Sequence, residues 1–292
     1  MAHSRRSLLA LCAAALPRAL AQTPPVTARQ VIERIQSQLA VQFAADTVDT
    51  FKAGDPDTPV RGIATTVMAT FDVIKRAAAA NCNLVITHEP TFYNHQDSLA
   101  EFANDEVAQA KLAFIKQHSM VVWRFHDYWH RRKPDGIQTG MAEILGWSKY
   151  VSPGNPRLYI LPPATLESVA RDIQSRLNIR TLRVVGDPKL QVSRFALSPG
   201  FSNLQGAVRA LSRPEVDVLV VGEPREWEGV EYVQDAITAA KKKALIILGH
   251  AISEENGMNE CARWLRTILP NVPVQFVPAG EPFWTPAKLA RG

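Results

Sequence analysis

The sequence predicts an α/β protein in two parts that meet near residue 150. Three observations carry this. Apolar, β-branched runs alternate with stretches of helical spacing over most of the chain, joined by short connections, as in layered α/β folds. Pro153, Pro156 and the pair Pro162-Pro163 interrupt that alternation near its middle. Histidines gather just past the carboxyl ends of several apolar runs, the edge at which open α/β sheets bind ligands.

In chain order, residues 1–21 read as an export signal. Arg5-Arg6 make a charged start, Leu8 to Leu16 a short apolar core, and Ala19-Leu20-Ala21 a small-residue cleavage site. Ser4-Arg5-Arg6-Ser7-Leu8-Leu9 resembles a twin-arginine signal, although an ordinary secretory leader fits the same residues. Either route places the mature chain in a bacterial periplasm. Thr27 and Gln30 form a capping box ahead of Val31, Ile32, Ile35 and Leu39 at helical spacing. Strands are expected at 60–68, 83–87 and 120–124, with helices at 71–80, 104–117 and 136–145. This is the first lobe, 22–150. The second, 151–292, should hold strands at 157–161, 181–185, 191–197, 216–221, 244–248 and 273–277. Its helices should cover 165–177, 203–212, 227–241 and 254–268, with Lys241-Lys242-Lys243 at a helix C-terminus where the dipole favours them. Residues 244–292 return ligands to a site shared with the first lobe.

Composition narrows the function classes. The chain of 292 residues carries 33 Lys+Arg against 28 Asp+Glu, but the leader holds three of those bases and no acid. The remaining 271 residues have 30 bases against 28 acids, too balanced for a nucleic-acid binder without basic-aromatic interleaving. After the leader no apolar run approaches the roughly 20 residues of a membrane span. Cys82 and Cys261 follow the leader's Cys12; they lack zinc-knuckle spacing and read as two buried thiols in preference to one bridge.

Four of the six histidines beyond the leader follow strands. His88 and Glu89 come after Leu84–Thr87; His126, Asp127 and His130 after Val121–Phe125; His250, with Glu254 one helical turn on, after Ala244–Gly249. Imidazole with carboxylate is the donor set of Zn, Mn and Fe sites. A lone His-x-x-x-Glu is usually a surface pair, and His126 beside Trp123 and Trp129 could be a core histidine. Convergence of three strand ends makes the metal reading. His95 and His118 lack an acidic partner at ligand spacing and are left out.

These segments resemble the Nif-three-like family, also called type 2 GTP-cyclohydrolase-I-like dinuclear metal proteins. The likeness lies in Thr87-His88-Glu89-Pro90-Thr91-Phe92, in His126-Asp127-Tyr128-Trp129-His130 with Gly136, in Gly222-Glu223-Pro224-Arg225-Glu226, and in Gly249-His250-Ala251-Ile252-Ser253-Glu254. It spans roughly residues 60–280. Where the family has a second histidine this chain has Glu89, and where the family has an aspartate it has His130, so donor types and charge are kept but redistributed. The resemblance implies a two-lobed, mixed-sheet α/β unit in a toroidal homohexamer, with two divalent ions per chain (Zn, Fe or Mn). The implied ligands are His88, Glu89, His126, His130, His250 and Glu254, with Asp127 as substitute if His130 points away. Glu223 or Glu226 would orient His250 or accept a proton.

The expected activity is metal-dependent hydrolysis of a small molecule whose identity the sequence does not carry. GTP, the family's inherited label, is not expected: there is no phosphate-cradling glycine loop, and export leaves the cytosolic nucleotide pool behind. The competing expectation is a non-catalytic metal-binding protein for storage or assembly, in which protein ligands close every metal position. The aromatics Phe92, Tyr93, Tyr128, Trp129, Phe283 and Trp284 are either pocket or core.

Overall fold

A computed structural model describes residues 25–286; the export signal expected over residues 1–21 lies outside them. The first sheet takes β1 (Phe51–Ala53), β2 (Ile63–Thr66), β3 (Leu84–Thr87), β4 (Val121–Arg124) and, from the far end of the chain, β11 (Val274–Phe276). Its order is β1-β4-β3-β2-β11, with β11, β2, β3 and β4 parallel and β1 antiparallel on the edge. The second sheet holds β5 (Val151–Ser152), β6 (Asn155–Thr165), β7 (Arg183–Val185), β8 (Gln191–Ser202), β9 (Val218–Pro224) and β10 (Ala244–Ile247), ordered β5-β6-β8-β9-β10-β7. β8, β9 and β10 are parallel, and the outer pairings are antiparallel. The fold is mixed α/β with two mixed sheets.

Periodicity explains the helices. α1 (Ala28–Leu39) buries Val31, Ile32 and Ile35 on one face and starts at the expected capping box, Thr27 with Gln30. α2 (Phe71–Ala79), α3 (Glu106–Gln117), α5 (Gly136–Ile144), α6 (Leu166–Leu177) and α7 (Leu204–Leu211) follow within a few residues of the sequence reading. β2, β3 and β4 are buried at every position without alternation, as parallel strands between covering layers should be, although β2 carries Thr65 and Thr66 and β4 carries Arg124.

Several elements differ from expectation. Residues 127–131 form a short helix, α4 (Asp127–Arg131), because Asp49 from a distant loop accepts the backbone N–H groups of His126, Asp127 and Tyr128 at 2.7–2.9 Å. β6 runs through Pro162-Pro163, which lack ladder donors, and its register against β8 shifts between Ile160 and Ala164. The helix expected over 227–241 opens as a π-turn at Glu226–Val230, continues as α8 (Glu231–Thr238) and stops before the lysines. Lys243 instead satisfies the carbonyls of Arg213 and Val216. The last helix, α9 (His250–Ile268), starts four residues early, because Gly249 at φ +90° turns the chain straight out of the β10 edge.

α9 ties the two halves together. Ile252 near its start packs in the core under the second sheet, whereas Met258, Cys261, Ala262 and Leu265 pack in the core of the first. β11 then joins β2. Cys82 and Cys261 are buried free thiols in different cores. No helix among the described residues is long and apolar enough to cross a membrane.

Candidate metal centre

The carboxyl edges of both sheets open on one place. β3 delivers His88 and Glu89, β4 delivers His126, α4 delivers His130, and the first turn of α9 delivers His250 and Glu254. The four imidazoles are arranged alike. Each presents Nδ1 to an oxygen that can only accept: the Phe125 carbonyl for His88 (3.1 Å), Asp127 for His126 (3.0 Å), Asp135 for His130 (3.1 Å) and Glu223 for His250 (2.9 Å). Nδ1 therefore carries a hydrogen and donates it, and the Nε2 atoms face one another. The rings of His88, His126 and His130 stand 4.6–5.1 Å apart, centroid to centroid.

Two carboxylates complete the cluster. Glu89 Oε1 lies 3.2 Å from His250 Nε2 and 3.8 Å from His126 Nε2. Glu254 reaches both sides: Oε1 is 3.9 Å from His130 Nε2, and Oε2 is 3.3 Å from His250 Nε2 and 3.7 Å from His88 Nε2. Gly200, at φ +71°, brings the β8 backbone so close that a Cβ there would sit 2.3 Å from Glu254 Oε1. Ser253 anchors the same turn, accepting from Gly200 N–H and donating to the His250 carbonyl.

The electrostatics follow from this crowding. Burial disfavours the His250 cation, yet hydrogen bonds and charge from Glu254 and Glu89 outweigh it and push its pKa up to about 11. Burial and the neighbouring His88 push His126 down to about 4. Burial alone would raise the Glu254 carboxyl, but His88 and His250 hold it well below the usual range.

This donor set fits a divalent metal. Donor atoms of His88, His126 and His130 lie within 4.8 Å of one another, as do those of His88, Glu89 and Glu254. His88 Nε2 and Glu254 Oε2 are buried without a hydrogen-bond partner, an arrangement that costs about 1–3 kcal/mol per atom unless something binds there. These buried His and Glu groups could hold a metal ion.

The remaining sequence candidates separate cleanly. His130 points inward, so the condition for Asp127 as substitute ligand is not met: its carboxylate binds His126, Thr47 and the Val48 N–H. Burial opposes ionisation of Asp127, but those bonds prevail and bring its pKa down to about 2. Glu223 orients His250, whereas Glu226 turns away and pairs with Arg183 at 2.5 Å. Phe92, Tyr128 and Trp129 are core; Tyr93, Phe283 and Trp284 are exposed. Sequence reasoning missed Asp49, Asp135, Gly200 and Arg124, whose guanidinium is fully buried against Glu89. Of these only Arg124, a charge within an apolar strand, carried a signal.

The sequence pattern of the Duf34/NIF3 (NGG1p interacting factor 3) family matches residues 26–282. The chain belongs to that family. A Clostridium acetobutylicum protein named GTP cyclohydrolase 1 type 2 homolog is 26% identical over 181 residues, 58% of this chain and 65% of that protein. A Chlamydia pneumoniae protein of the same name is 24% identical over 242 residues, 80% of this chain and 89% of its own length. Among solved structures, a Bacillus cereus protein related to NIF3 superposes with a TM-score of 0.71 at 13% identity, covering 90% of this chain and all of its own. The Staphylococcus aureus protein SA1388 gives 0.70 at 20% identity, covering 89% and 99%. At these identities the structural likeness speaks for the fold.

Proposed function

We propose that this NIF3-family chain is a dinuclear metal-dependent hydrolase of a small molecule, exported to the periplasm by the leader in residues 1–21. The observation that carries the metal reading is the common orientation of His88, His126, His130 and His250, each with Nδ1 committed and Nε2 turned toward Glu89 and Glu254. These six residues would hold two divalent ions, Zn, Fe or Mn, and Glu254 would serve both sides of the cluster because its two oxygens face different imidazoles. Such an ion pair supplies Lewis acidity, which acidifies water and polarises the scissile group.

The chain's own residues do the rest. Asp127, Asp135 and Glu223 fix ring orientation and tautomer. Glu223 is also solvent-exposed at the rim, where it can take up or release a proton. The relatives' name points to GTP, and the leader argues against a cytosolic nucleotide, so the substrate class rests on assay. We extend the homohexamer to this chain on family membership alone.

Metal analysis of the mature protein purified after export tests the site. Wild type should hold two ions per chain, and Glu89→Ala and His130→Ala fewer. Two retained ions in both variants would refute these ligand assignments. A hydrolysis screen of phosphoesters, amides and cyclic amidines, with GTP included, should show turnover in wild type that is lost in Glu254→Gln. A metal-loaded protein inactive on every class would favour storage.

A further inference from the structure

Behind Glu89 runs a line of buried charges that the ligand set does not include. Glu89 Oε2 is 3.5 Å from Arg124 Nη2, Arg124 Nη1 is 3.9 Å from Asp97 Oδ2, and Asp97 Oδ2 is 3.8 Å from Lys52 Nζ. The signs alternate, and the four side chains are only 11, 0, 1 and 7% exposed, from Glu89 to Lys52. The line starts at the metal centre and ends on the edge strand β1, crossing β4 at Arg124. Stability is a poor reason for it: removing four charges from water costs about as much as their attraction returns.

The guanidinium has a more specific geometry. Its Nε donates to the His88 carbonyl at 3.0 Å and its Nη1 to the His95 carbonyl at 2.6 Å. Arg124 thus holds both ends of the 88–95 segment and, through Nη2, one oxygen of the carboxylate inside it. The other oxygen, Oε1, is left facing His250 and His126. Asp97 stiffens the same segment by accepting the Thr91 and Phe92 N–H groups through Oδ1, while Oδ2 has no hydrogen-bond partner and faces the two cations. A lysine at 124 could not make this three-way fork, since the planar guanidinium sets the three directions.

We propose that Arg124 is a positioning residue for the metal centre, and that the line Lys52–Asp97–Arg124 orients Glu89 so that it offers one oxygen to the site. The proposal rests on Glu89 being a metal donor. One oxygen is committed to the guanidinium, so Glu89 binds in a single fixed direction and does not swing between two modes.

Zinc binding to the chelator-stripped full chain tests this, with competition against a chromophoric chelator giving the affinity of each equivalent. Arg124→Gln should weaken one of the two zinc equivalents roughly 10- to 100-fold, the usual effect of losing a partner behind a metal ligand. Glu89→Gln should weaken the same equivalent, and the double variant should be no worse than Glu89→Gln alone. A general structural role would instead add its full effect in the double variant, and that result would overturn the proposal. If Arg124→Gln does not fold, Lys52→Met carries the test from the far end and should weaken the same equivalent less. Wild-type zinc binding by Glu89→Gln would refute Glu89 as a donor. A loss in Glu89→Gln with none in Arg124→Gln or Lys52→Met would refute the positioning line alone.

Discussion

Replacing Gly200 by alanine should empty the metal centre while leaving the fold in place. Two effects act together. The first is backbone strain: Gly200 sits at φ +71°, and an L-residue held there costs about 1–2 kcal/mol. The second is collision. The added methyl would lie 2.3 Å from Glu254 Oε1 and 3.0 Å from its Cδ, where carbon contacts normally settle at about 3.5–4.0 Å. One group must yield by about 1 Å, and metal sites tolerate roughly 0.2 Å in ligand distance. Glu254 is 2% exposed on a packed helix. Gly154 provides the control: at φ +79° it carries the same strain with nothing within 4 Å of the new methyl. In chemical denaturation of the metal-free protein Gly154→Ala should lose the strain cost alone, and Gly200→Ala that cost and the cost of the collision besides. Only Gly200→Ala should lose zinc affinity, by at least 10-fold. Equal zinc affinity in the two variants would refute the reasoning that the β8 backbone sets the position of Glu254.

Other positions give further expectations. Glu223→Gln keeps an acceptor for His250 Nδ1 but removes its charge, so zinc affinity should fall by up to about 10-fold with the melting temperature little changed; an unchanged affinity would deny Glu223 its orienting role. Asp49→Ala strips the cap from α4 and leaves three N–H groups without acceptors, which should cost about 2 kcal/mol or more in denaturant unfolding. Asp217 gives a pH test away from the metal. Burial raises its carboxyl, but Arg194 and the Ser193 and Arg194 N–H groups outweigh burial and hold it below the usual range. A depressed folded-state pKa makes the carboxylate's contribution complete above its unfolded value of about 3.9 and lost as pH falls through the folded one. Wild type should therefore exceed Asp217→Asn in stability at pH 7, and the gap should shrink at pH 3. A gap that stays constant between those pH values would contradict this.

What was legible in the sequence shared one property: it was local. His88-Glu89 directly follows its own strand, and His250 and Glu254 are spaced by one turn of their own helix. β3 and β4 announced themselves as apolar runs and β2 as a β-branched one, because both of their faces are covered. What escaped was non-local. The acceptor that creates α4 is Asp49, 77 residues before His126. Arg124 and Glu89 meet from positions 35 apart in the chain, and Gly200 matters only because α9 passes over it. The π-turn at Glu226–Val230 likewise hides in a sequence that reads as ordinary helix. The split near residue 150 describes where the second sheet begins, while α9 and β11 carry the chain back to the first.

The central claim is that the four converging imidazoles and two carboxylates hold a pair of metal ions. Anomalous diffraction from crystals of the protein tests it most directly. The account predicts two peaks roughly 3.5–4 Å apart, with Glu254 between them and the Nε2 atoms of His88, His126, His130 and His250 bound to one or the other. A single peak, or ions bound elsewhere while Glu254 keeps only protein contacts, would contradict it.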